Sequence, residues 1–204
     1  RITTLRNGVD LDFFRPIGKR EDIRKRLNIR GFTVLSVGHL IERKGHDHVI
    51  RALADLPNVN LVIAGDGELR QSLRDLAESV GVSDRIHWAG LLSHEQLVEY
   101  YNAVDALVLA SSREGMPNVL LESLACGNPV VATPYWGNPE VVTDPAAGQL
   151  TEDRSAKAIV AALGRLRDDY PDRGATRRHA EQFSWDATTQ GQLGIFRDIV
   201  RGTR

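Results

Sequence analysis

The chain carries almost no sulfur: one cysteine, Cys126, and one methionine, Met116, in 204 residues. A single cysteine excludes an internal disulfide and fits a reducing compartment. The six histidines and Cys126 show none of the spacings that hold zinc. No apolar run reaches the roughly 20 residues that span a bilayer, and no signal peptide is visible. Neither sign of charge dominates. Lys and Arg number 26, Asp and Glu 27, and the net charge is −1, so no global field favours nucleic acid or an anionic membrane. Internal repeats and low-complexity linkers are missing too. The first residue is arginine rather than methionine, so the chain is expected to be a piece of a longer protein.

What is present is a regular alternation. Hydrophobic residues make up 42% of the chain, enough for a sizeable core. Short β-branched runs at 32–38, 59–65, 85–90, 105–111 and 128–134 read as strands, with a short sixth at 148–150. Helical patterns follow each of the first four runs, the third opening on a Ser93 cap. Three more helices are expected over 153–170, 172–182 and 185–200. Continuous apolar strands alternating with helices predict an α/β fold, a Rossmann-like doubly wound parallel sheet. Residues 1–18 read as a segment arriving from another domain, 19–183 as the sheet domain, and 184–204 as a C-terminal helix returning towards that other domain. In such sheets ligands bind beyond the carboxyl ends of the strands.

The loops at those ends carry the candidate chemistry. In "SVGHLIERKGH", Gly38 ends a strand, Gly45 precedes a helix, and Arg43 and Lys44 lie between them. A lysine beside a helix N-terminus suits a phosphate, and a solvated basic loop is the plain alternative. The spacing is not that of a Walker loop. "AGDGELR" puts Arg70 where a dinucleotide fingerprint needs its third glycine, so Gly65 and Gly67 read as turn glycines. Asp10-Leu11-Asp12 resembles a triplet that holds a divalent cation in some sugar transferases, but the preceding Asn-Gly favours a turn. His46 and His48 are expected at the surface, and Asp105 at the start of a strand.

"REGMPNVLLESLACG" at 113–127 is the most informative stretch. Gly115 lets backbone approach a ligand, and Pro117 suits a first helical turn. Free N–H groups near Met116 to Val119 would point at an anion. Glu122 lies among Val119, Leu120, Leu121, Leu124 and Ala125. A carboxylate buried there costs several kcal/mol unless it is paired. Two partners are open: the cis-diol of a ribose, or an arginine of the last helices.

The form E-G-x-P-N-V-x-x-E-x-x-A-x-G-x-P-V-V-A resembles the signature of retaining glycosyltransferase family 4. "SVGHLIERKG", "VIAGDGE", "IHWAGLLSHEQL", "WGNPEVV" and "FSWDAT" occur in that family's order. The resemblance covers nearly the whole chain. It implies the C-terminal, donor-binding domain of a GT-B enzyme, whose active site lies between two Rossmann-like domains. "RNGVDLDFF" is similar to the segment by which such chains reach the second domain.

The resemblance also implies roles. Glu122 would hold the ribose and Glu114 the transferred sugar. The backbone of Gly115, Met116, Pro117, Asn118 and Val119 would hold sugar hydroxyls and the distal phosphate. Lys44, with the Gly38 loop, would neutralise the diphosphate, and the 89–93 loop, through Leu91 and Leu92, would meet the base. No metal and no further cofactor is expected. The family often has arginine where this chain has His39, so Arg43 is a candidate substitute. The implied reaction moves a hexosyl unit from a nucleoside-diphosphate sugar with retention. The acceptor stays open between a lipid-linked, polysaccharide or small-molecule species, as do base and oligomeric state. The implied location is cytoplasmic, or peripheral at the inner membrane through the missing domain. A GT-B-like sugar-nucleotide epimerase and a non-catalytic nucleotide-sugar binding module are the alternatives.

Overall fold

The structure is a computed structural model that describes residues 5–202. Residues 1–4 of the arriving segment and 203–204 of the last expected helix lie outside the described residues. The elements in chain order are α1 (Arg20–Arg26), β1 (Phe32–Val37), α2 (His46–Ala54), β2 (Val59–Ala64), α3 (Arg70–Ser79), β3 (Ile86–Gly90), α4 (His94–Ala103) and β4 (Ala106–Leu109). They continue with α5 (Asn118–Ala125), β5 (Val130–Ala132), α6 (Asn138–Val141), β6 (Gly148–Leu150), α7 (Ala156–Asp168), α8 (Arg173–Ala180) and α9 (Trp185–Val200).

The six strands form one parallel sheet in the order β3-β2-β1-β4-β5-β6. Every strand expected from the sequence forms. Alternation within each strand feeds two cores, one on either face. Leu35, Val62, Leu107 and Val130 point into the core under α4, α5 and α8. Val34, Leu61, Ile63, Val108 and Val131 point into the core under α2, α3 and α7. Leu120, Leu121 and Leu124 of α5 are fully buried, each contributing roughly 1.5–3 kcal/mol by leaving water. The chain is therefore a Rossmann-like α/β unit. The strand order reverses between β1 and β4, and the loops after those two strands diverge there. That is the crevice in which doubly wound sheets hold ligands.

Two helices were not legible. In α1, seven residues long, only Ile23 is buried, so no periodic stripe marks it. It is held by Arg20 and Arg24, which pair with Asp105 at 2.5 and 3.2 Å. Asp105 also accepts from Thr33 N–H, so this aspartate is a structural hub at the amino ends of β1 and β4. The other, α6, spans only four residues. The arriving segment is part of this unit: Val9 and Phe14 are buried in the α4–α5 core. Val9 forms a parallel bridge with Ser184, so the arriving and departing chains lie side by side. Asp10 Oδ1 accepts from the N–H groups of Asp12 and Phe13, the bonding of a local turn.

Candidate functional site

Two loops that leave the sheet in opposite directions meet at the reversal point. The loop after β1 is shaped by glycines. Gly45 has φ +70°, and a Cβ there would lie 2.2 Å from Ala110 O. The adjoining Lys44 is thereby held against the loop after β4. Its stem packs over Gly38, and its Nζ donates to Glu114 Oε1 at 2.6 Å. Arg43 stands 3.6 Å from Glu114 Oε2 and donates to Arg113 O. Lys44 and Glu114, both mostly buried, thus form the ionic centre of the crevice, with Arg43 at its more exposed rim. His39 is exposed; the structure does not bring its ring to this centre.

Beyond Glu114, α5 begins at Asn118 with Pro117 as its N-cap. The proline therefore precedes the first turn rather than sitting in it, and it has no N–H to offer a ligand. No side chain caps this helix; Leu120 N–H turns back to Pro117 O at 3.1 Å, so the N–H groups of Asn118 and Val119 are the ones left without an acceptor among the described residues. Asn7 of the arriving segment reaches Asn118 Oδ1 at 3.3 Å.

Glu122 lies one turn further in and is 9% exposed. Its partner is neither of the arginines nearest in sequence expectation. Arg173 and Arg177 of α8 donate instead to backbone carbonyls, including Tyr101, Cys126, Ala125 and Phe14. Cations there satisfy the free carbonyls at the ends of α4 and α5. The arginine pairing considered for Glu122 is therefore corrected: Tyr101 Oη donates to Glu122 Oε2 at 2.9 Å. Burial pushes the Glu122 carboxyl above its ordinary pKa, while the Tyr101 hydroxyl and the nearby His94 pull it back. Burial also raises the Tyr101 phenol, reinforced by the Glu122 charge. One carboxylate oxygen is thus occupied and the other remains for donors. Glu122 lines a cavity of about 150 Å³ with Gly8, Asp10, Phe14, Asn118 and Trp185.

Two further cavities lie along the same edge. One, of about 240 Å³, sits past β1, β2 and β3 and is lined by Gly38, His39, Gly65, Asp66, Leu91 and Leu92. The other, of about 400 Å³, is lined by Arg43, Arg113, Glu114, Gly115 and Trp136. The expected site residues therefore divide by place. Gly38, His39, Leu91 and Leu92 line the first cavity. Lys44, Arg43, Glu114 and Gly115 gather at the centre, and Met116 to Val119 lead to Glu122.

A further expectation fails. His46 is buried, not at the surface, because it is the first residue of α2 and packs under the Gly38 loop. Its Nδ1 is 2.9 Å from Ser36 Oγ. Burial lowers its pKa to about 4, against a pull upward from the His39 and Gly38 backbone; the Lys44 charge adds to the lowering. Its Nε2 finds no hydrogen-bond partner among the described residues. His48 stays partly exposed. Cys126 is buried and its thiol is pushed up to about 12, mainly by burial, which removes its reactivity. Sequence reasoning also missed Tyr101, Trp136 and Arg113. Tyr101 had a usable signal in hindsight: a buried carboxylate requires a donor, and tyrosine supplies one.

This is a Rossmann-like domain with its polar groups assembled at the crevice of a doubly wound sheet. Residues 19–183 match the family described as Glycosyl transferases group 1, and the chain belongs to that family. It is 36% identical, over its whole length, to a D-inositol 3-phosphate glycosyltransferase of Acidothermus cellulolyticus, and covers 49% of that protein. A protein of the same description from Mycobacterium marinum is 34% identical over 98% of this chain and 46% of its own. The chain thus spans about half the length of the curated relatives it matches.

Among solved structures, sucrose-phosphate synthase from Thermosynechococcus elongatus superposes with a TM-score of 0.87 at 27% identity, over 97% of this chain and 52% of that one. The C-terminal domain of LpcC from Francisella tularensis gives a TM-score of 0.71 at 25% identity, over 90% of this chain and 97% of that domain. Anabaena HepE, solved with UDP and glucose, shares the fold with a TM-score of 0.85 at 22% identity, over 94% and 55% of the two chains. No helix among the described residues is long and apolar enough to cross a membrane.

Proposed function

We propose that this chain is the donor-binding half of a retaining glycosyltransferase of family 4, which moves a hexosyl unit from a nucleoside-diphosphate sugar to an acceptor. The observation that carries the reading is the meeting of Lys44 and Glu114 at 2.6 Å across the sheet's reversal point, beside the uncapped start of α5 and the buried Glu122. The cavity at Leu91 and Leu92 would take the base. Glu122 would accept from the ribose hydroxyls through the oxygen that Tyr101 leaves free. Lys44 and the first N–H groups of α5 would face the diphosphate, and Glu114 and the backbone at Gly115 the hexose.

In the transfer, the bond between the anomeric carbon and the diphosphate oxygen would break, the acceptor oxygen would form the new glycosidic bond, and the acceptor's hydroxyl proton would pass to the departing diphosphate. Negative charge grows on the departing diphosphate. Lys44 and the open N–H groups of the first turn of α5 would stabilise it without a divalent cation. Met116, Pro117, Asn118 and Val119 would shape the wall, with Gly38, His39 and Arg43 around the phosphates. A second, acceptor-binding domain would complete the cleft. The 184–200 stretch would contact it through the exposed apolar residues of α9, Phe196, Ile199 and Val200. The reading places the enzyme in the cytoplasm, at or near the inner membrane.

A thermal-shift panel of UDP, GDP and ADP with their sugars, repeated with a chelator, tests this. Stabilisation by one nucleoside diphosphate that survives chelation supports it. No response to any member, or a strict need for a divalent cation, contradicts it.

A further inference from the structure

Trp136 has a backbone that a tryptophan rarely adopts. Its φ is +54°, a region that costs a bulky residue of order 1–3 kcal/mol. The conformation is held from outside: a Cβ on the neighbouring Gly137 would lie 1.8 Å from Gly115 O, so the loop after β5 is pressed against the loop carrying Glu114. The strain keeps an indole, 62% exposed, at the mouth of the cavity of about 400 Å³ beside Glu114. Arg113 lies over one face of that indole, its guanidinium carbon 4.9 Å from the ring centre. Its guanidinium has no hydrogen bond or ion pair among the described residues. An arginine held over an aromatic ring, with its N–H groups unengaged, is available to an anion that it can bind through two of them. The remaining indole surface suits the C–H face of a saturated ring. Glu114 is already matched by Lys44 and flanked by Arg43, so the free guanidinium is surplus positive charge at the sugar end of the crevice.

We infer that Arg113 and Trp136 form a subsite for a six-membered saccharide or cyclitol ring that bears a phosphate or carboxylate, next to the transferred hexosyl. The inference rests on the nucleotide-sugar reading of the adjoining crevice. The anion has two possible sources, a phosphorylated acceptor ring or a uronate-type donor sugar, and the test separates them.

UDP is titrated into the chain first; its failure to bind would count against the nucleotide reading alone, and the probes below would then be titrated without it. With UDP saturating, so that the diphosphate position is closed, the chain is titrated with myo-inositol 1-phosphate, myo-inositol and inorganic phosphate. In a separate arm UDP-glucuronate is compared with UDP-glucose. The expected result is a preference of about tenfold or more, the size of one charge-assisted hydrogen bond. It should appear for the ring phosphate over both of its parts, which assigns the anion to the acceptor, or for the uronate over glucose, which assigns it to the donor. Arg113→Gln and Trp136→Gly should each abolish that preference while UDP affinity holds. Trp136→Gly should also leave the melting temperature unchanged or raise it, since glycine relieves the positive φ. No preference in either arm, or a preference that either variant leaves intact, overturns the subsite.

Discussion

Lys44 Nζ and Glu114 Oε1 stand 2.6 Å apart across the point where the sheet reverses, although 70 residues separate them. On the proposed reading the pair sets a competition: a diphosphate would share Lys44 with a carboxylate that repels it. Lys44→Ala should weaken a nucleoside diphosphate by about 1.5–3 kcal/mol, roughly ten- to a hundredfold, and leave the bare nucleoside nearly untouched. Glu114→Gln should act with the opposite sign on the bare diphosphate, tightening it severalfold, while weakening the discrimination of nucleotide sugar from nucleotide. Calorimetry with nucleoside, diphosphate and nucleotide sugar reads both effects. Equal losses for nucleoside and diphosphate in Lys44→Ala would remove Lys44 from the phosphates.

Tyr101 positions Glu122 and should be visible in a pH profile. Its hydroxyl lowers the Glu122 pKa against the elevation caused by burial. The groups bearing on this carboxylate are Tyr101 and His94 from α4, Asp10 from the arriving segment and Cys126 from the end of α5. In Tyr101→Phe the carboxyl should take its proton at higher pH than in the parent. Nucleotide affinity would then fall away on acidification sooner, with the dideoxy nucleotide unaffected. A uniform loss at every pH, shared by the dideoxy compound, would make Tyr101 merely a packing residue.

The sheet was legible because its central strands β1, β2, β4 and β5 are mainly buried apolar runs, and α5 because Gly115 and Pro117 mark its start. Lys44 and Glu114 were legible as residues of two loops, yet their contact was not, since it depends on Gly45 fitting against Ala110 O. His46 was misjudged: two histidines flanking an aspartate look solvated, but the first residue of α2 is folded under the Gly38 loop. Trp136 was hidden because a positive φ leaves no trace in a tryptophan. For α1, charged residues outnumber the single buried Ile23, so tertiary pairing with Asp105 rather than a hydrophobic stripe defines it.

His46 should carry part of the acid sensitivity of the fold. Its folded pKa is lowered from 6.5 to about 4, so the unfolded chain binds more protons between those values. The stability it contributes is fully present above about pH 6.5 and is lost as pH falls towards 4. The full loss is about 3 kcal/mol at 1.4 kcal/mol per pH unit. His46→Asn keeps an amide near the Ser36 hydroxyl but has no proton to gain. Urea unfolding at pH 7 and pH 5 should show a smaller pH-dependent loss in the variant than in the parent. Parallel losses in both proteins would assign the acid limb to other groups.

Glu122→Gln in the presence of a ribose-bearing and a 2′,3′-dideoxy nucleoside diphosphate tests the central claim, that this buried carboxylate serves a nucleotide. Burial raises its folded pKa above the unfolded value, so any stability it contributes is present in acid and lost as pH rises through that raised pKa. The charged form is thus a cost at neutral pH. Glutamine can still accept from Tyr101, so the variant should be at least as stable as the parent at pH 7. Its affinity for the ribose nucleotide should drop by about 1–3 kcal/mol. The dideoxy nucleotide should bind the parent as weakly as the ribose form binds the variant, and the two losses should not add. Unchanged ribose-over-dideoxy discrimination in the variant would contradict the assignment.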